Sequence, residues 1–85
     1  MNDAVNHPVH YELSNGLEAI DVIEAVIADD MMNPIEGFLT GQVLQYLCRW
    51  KRKNGLQDLH KARWYLNRLI GKLEAQGNEN EISRR

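Results

Sequence analysis

Two interruptions, Asn33-Pro34 and Asn54-Gly55, leave this 85-residue chain little choice but three helical stretches. Proline fixes φ at about −65° and lacks an amide donor, so it suits the first position of a helix and not its interior. Asn33 before it and Glu36 three residues after the cap complete a capping-box start. The pattern predicts a helix from Pro34 to about Lys53. Asn54-Gly55 ends it, with Gly55 supplying the left-handed conformation of a helix stop. A further helix is expected from Gln57 or Asp58 to Ala75, with Leu59, Ala62, Leu66, Leu69, Ile70 and Leu73 as its apolar stripe. So short a break predicts that these two longer helices pack as an antiparallel hairpin.

The first helix is expected from near Asn15, which stands at capping-box spacing from Glu18. Leu17, Ile20, Ile23, Val26 and Ile27 follow at helical period, and Asp29-Asp30 marks the end. Pro8 excludes the first stretch from helix, so residues 1–14 are read as irregular. The helical domain is placed at 15–76, and the polar tail from Gly77, 77–85, as flexible. The expectation is therefore an all-α fold of three helices behind an irregular N-terminal segment. Gly37 and Gly41, four apart, predict a thin strip that admits a close helix crossing or a ligand.

A chain this short makes one domain with a modest core, so self-association into a homo-oligomer is expected. The single cysteine, Cys48, cannot form an internal disulfide and reads as a small packing residue. No apolar run approaches the ~20 residues of a membrane span, and no secretory signal is apparent at Met1-Asn2-Asp3. The expected location is cytoplasmic.

The net charge of −2 conceals a segregation. No Lys or Arg precedes Arg49, whereas Asp3, Glu12, Glu18, Asp21, Glu24, Asp29, Asp30 and Glu36 do. From Arg49 to Lys72 the basic residues are Arg49, Lys51, Arg52, Lys53, Lys61, Arg63, Arg68 and Lys72, opposed by Asp58 alone. Such segregation sets a local field whatever the total. Two readings follow: acidic and basic helices that neutralise one another within or between chains, or an anion site.

Helical spacing sharpens the second reading. Gln42, Tyr46, Arg49 and Lys53 share one stripe, and Lys61, Tyr65, Arg68 and Lys72 share another. Cations supply charged donors to phosphate, and aromatic rings offer a face to a base. Solvated charged faces edged by tyrosine have the same pattern. Trp50 and Trp64 suit core or subunit contact, with base stacking as the alternative.

His7 and His10 flank Pro8 and supply at most two metal ligands, too few for zinc. Hydrogen bonding to a phosphate, or docking of the N-terminal segment, fits them better. Glu18, Asp21 and Glu24 are candidate oxygen ligands for Mg²⁺. A P-loop and a G-x-G-x-x-G turn are both absent, which excludes the standard nucleotide folds that depend on them. Ser14, Ser83 and Cys48 have no context for a nucleophilic triad. The acidic first half and pI near 5.9 argue against a simple nucleic-acid binder.

Several motifs in order resemble a family of small bacteriophage proteins of unknown function. They are Asn6-His7-Pro8-Val9-His10-Tyr11, Glu18-Ala19-Ile20-Asp21-Val22-Ile23, Gly41-Gln42-Val43-Leu44-Gln45-Tyr46-Leu47, Arg49-Trp50-Lys51, Lys53-Asn54-Gly55, Asp58-Leu59, Lys61-Ala62 and Trp64-Tyr65-Leu66. The family includes a coliphage nucleotide kinase that lacks a P-loop and acts on dTMP and dGMP. The resemblance implies a nucleotide-handling scaffold working in the cytoplasm of an infected bacterium. Phosphates would fall to Arg49, Lys51, Lys53 and Lys61, the base to Tyr46, Trp64 or Tyr65, and closure of the site to His7, His10 and Tyr11. Glu18 and Asp21 would place Mg²⁺ or a sugar hydroxyl, and ATP would be the second substrate of a kinase. Gln42 stands where the family usually has Asn, and Gln45 where it usually has Lys. The lost lysine weakens the catalytic expectation more than the binding one, leaving sequestration of a nucleotide or nucleotide signal as the alternative.

Overall fold

The computed structural model describes residues 12–83, with side chains described for 12–77. Among them it is helical, with no strand beyond an isolated antiparallel bridge between Glu12 and Glu18. Helix α1 spans Ala19–Ile27, α2 spans Pro34–Arg49, and α3 spans Leu56–Ser83, with a 3₁₀ turn over Trp50–Arg52. No helix among the described residues is long and apolar enough to cross a membrane.

Helix α1 begins four residues later than the sequence predicts. Asn15 does not cap it. Its Oδ1 instead accepts from the Leu17 amide at 3.1 Å, inside a turn closed by Leu13 N–H on the Leu17 carbonyl at 2.7 Å. Gly16, at φ +84°, makes that turn possible. The cap passes to Glu18, which forms a capping box with Asp21; the Asp21 carboxylate accepts from the Glu18 amide at a long 3.4 Å.

Helix α2 starts as expected. Asn33 Oδ1 accepts from the Glu36 amide at 2.8 Å, and Glu36 Oε1 accepts from the Asn33 amide at 3.1 Å. Its α-helical part ends at Arg49, short of Lys53, because the last turn tightens to 3₁₀. Gly55, at φ +57°, donates to the Trp50 carbonyl at 2.8 Å and closes the stop.

The glycine strip of α2 receives α1. A Cβ on Gly41 would meet Ile23 Cγ2 at 3.4 Å, and one on Gly37 would meet Ile27 Cβ at 3.8 Å. Of the two uses open to the strip, it serves a helix crossing. Along α3, Gly77 leaves helical torsions (φ −130°, ψ 29°) before helix resumes to Ser83. Among the described residues, the buried apolar ones are Ala19, Leu39 and Ala62, one per helix. Cys48 lies half-buried in α2 with a free thiol.

Candidate functional site

The junction of α2 and α3 is organised by the one acid of the basic tract. Asp58, in the first turn of α3, is fully buried. Arg49 at the end of α2 donates to both its oxygens, Nε to Oδ2 and Nη2 to Oδ1, each at 3.2 Å. Asn54 adds its backbone amide to Oδ2 at 3.2 Å and its side-chain amide to Oδ1 at 3.3 Å. Burial alone would raise this carboxyl; the hydrogen bonds from Arg49 and Asn54 and the Arg49 charge outweigh it and hold the group below its ordinary 3.8. A buried charge is tolerated only when paired and hydrogen-bonded in this way.

One turn back along α2, Tyr46 lies under the Arg49 guanidinium, 4.7 Å from ring centroid to Cζ. Tyr46 stacks on Tyr65 of α3 with centroids 6.0 Å apart and planes 14° apart. Phe38 meets the Tyr65 ring edge-on at 6.2 Å, and Trp64 does so at 5.0 Å. Lys61 places its Nζ 5.5 Å from the Tyr46 centroid, in cation–π range. Tyr46, Lys61, Trp64 and Tyr65 line an open slot of about 300 Å³. Trp64 is 60% exposed at its wall. Farther along the same stripe of α3, Arg68 and Lys72 border a trough of about 510 Å³ with Asn67, Gly71, Ala75 and Gln76.

Four of the sequence-derived candidates, Tyr46, Lys61, Trp64 and Tyr65, therefore share one slot. Arg49 adjoins it through Tyr46, with its guanidinium gripped by Asp58. Lys51 and Lys53 are exposed on the 3₁₀ turn and the loop after it and do not line the slot; Lys51 Nζ sits 5.5 Å from the Trp50 ring. Neighbouring Arg52 donates to the Glu12 carbonyl, tying the chain ahead of α1 to the same turn. His7, His10 and Tyr11 lie outside the described residues. Glu18 and Asp21 form the α1 capping box, and no three His, Cys, Asp or Glu side chains group as a metal cluster among the described residues.

Two residues escaped the sequence reading. Phe38 stands four before Gln42 and eight before Tyr46, so helical spacing had already set it on the tyrosine stripe. Asp58 is the single acid among the eight cations from Arg49 to Lys72 in the sequence, and that solitude is the signal of a buried partner.

Comparison with curated proteins and with solved structures gave no match. A family model covers residues 5–67, most of the chain, and its description is a protein of unknown function, DUF3310. The chain belongs to the DUF3310 family.

Proposed function

We propose that this protein binds a nucleotide, with the base against Trp64 and the tyrosine pair and the phosphate at Lys61. The observation that carries the reading is the meeting of Lys61 with an exposed tryptophan and two stacked tyrosines at one slot. Its volume, about 300 Å³, lies at the small end of the ~300–1,000 Å³ of small-molecule sites, the scale of one nucleotide. Arg68 and Lys72 continue the positive stripe for further phosphates. In this reading α2 and α3 form an antiparallel hairpin. Supporting it, Arg49 pairs with Asp58, Tyr46 with Tyr65, and Asn33 to Glu36 share a cavity with Lys72 and Gln76. The resemblance noted in the sequence adds a bacteriophage setting, the cytoplasm of the infected cell, and a deoxynucleoside monophosphate as ligand.

Binding without turnover is the form the geometry supports best. Arg49 is committed to Asp58, which leaves Lys61 as the cation of the slot itself. A kinase needs ATP and Mg²⁺, and Glu18 and Asp21, serving the α1 cap, fit poorly as magnesium ligands. Calorimetry of the full chain with dTMP, dGMP and ATP tests the reading. The expected result is saturable binding of at least one nucleotide, recovered unchanged after incubation with ATP and magnesium. Absence of binding to every nucleotide refutes it, and diphosphate product refutes the non-catalytic form.

A further inference from the structure

Leu66, Ile70 and Leu73 recur at spacings of four and three on α3, and all three remain 43–44% exposed. Extended by the same alternation of four and three, the seam takes in Leu59 and Gly77 at heptad spacing, with Arg63 at its edge. At about 100° per residue the seam lies on the opposite side of α3 from Lys61, Trp64 and Tyr65. With three apolar residues buried among the described residues, the monomer leaves this seam open to water.

We propose that the seam of α3 pairs with the same seam of a second copy, antiparallel about a two-fold axis near residue 68. The occupant is read from the seam's self-complementarity. Antiparallel pairing matches positions whose numbers sum to about 136. Leu66 then meets Ile70 of the second copy, Arg63 meets Leu73 and its neighbour Glu74, and Leu59 meets Gly77. Charge agrees with this register. Arg63 and Glu74 are both exposed on one flank of the seam, and neither has an ion-pair partner among the described residues. Arg63 Nη2 lies 2.9 Å from His60 Nδ1, so the cation is held at the end that Glu74 of the second copy reaches. Each two-fold pairing makes this contact twice. The slot of each copy stays open on the far side of α3.

The inference is independent of nucleotide binding and is tested without ligand. Light scattering of the full chain over a range of concentrations is expected to give a dimer. Ile70→Glu is expected to weaken dimerisation by about a hundredfold while the circular dichroism stays helical. Arg63→Glu and Glu74→Arg alone are each expected to weaken it on the order of tenfold, and the double reversal to restore it. A monomer at every concentration, association indifferent to Ile70→Glu, or a double reversal no better than the singles overturns the proposal.

Discussion

Arg49 and Asp58 lock the end of α2 to the start of α3 through two parallel hydrogen bonds of 3.2 Å on a carboxylate with no solvent exposure. The lock also collects Asn54, so a single carboxylate fixes the whole turn that sets α3 beside α2.

This makes stability sensitive to acid in a defined direction. The folded Asp58 holds its proton less tightly than the unfolded one, so the folded state gains from ionisation. That gain is complete above the ordinary value of 3.8 and disappears as pH falls from there through the lower folded value. Melting temperature is expected to drop on acidification below about pH 4. Asp58→Asn is expected to melt lower at neutral pH, by about 10 °C, and to show a flatter acid arm. Arg49→Lys should fall well short of wild type, because an ammonium cannot reproduce the forked contact. Thermal melts at pH 7, 4 and 2.5 check all three.

The α1–α2 crossing separates two glycines by one substitution each. At Gly37 an added methyl meets Ile27 at ordinary contact, so Gly37→Ala should stabilise by about 0.5–1 kcal/mol through helix propensity. Gly41→Leu must push Ile23 aside and should cost about 1–3 kcal/mol. Urea unfolding of the two variants gives the opposite signs.

Gly55 is held at φ +57°, with open space where a side chain would go. Gly55→Ala therefore isolates backbone strain from packing and should cost about 1–2 kcal/mol. Gly55→Asn should cost less, since Asn tolerates that conformation. Equilibrium unfolding distinguishes them.

The helices of this protein were legible wherever a local rule decides. Asn33, Pro34 and Glu36 specify a helix start among themselves, and Gly55 specifies a stop, with no help from tertiary structure. The start of α1 is ambiguous in the sequence because Asn15 offers its oxygen equally well to a cap or to a turn. Gly16 then tips the choice toward the turn, and Glu18 takes the cap. The stripes carrying Tyr46 and Tyr65 were visible as periodicity. Their stacking, and the entry of Phe38 and Trp64 into the same cluster, depends on how α2 and α3 register. That register is set by Arg49 and Asp58, a pairing between helices that spacing within one helix does not encode.

Loss of one slot residue should separate the two halves of a bound nucleotide. Trp64→Ala removes the stacking face and should weaken binding by about tenfold or more. Lys61→Ala should weaken binding of a nucleotide while leaving that of its unphosphorylated nucleoside nearly unchanged. Both positions are solvent-accessible, so the circular dichroism should not change. Calorimetry with dTMP and thymidine reads the difference.

The most direct measurement is an amide and indole nitrogen–proton spectrum titrated with dTMP and dGMP. The account predicts saturable shifts at the Trp64 indole and at the amides of Tyr46, Lys61 and Tyr65, with the Trp50 indole and the amides of α1 little changed. Spectra that do not move with either nucleotide, or that move only outside this slot, contradict it.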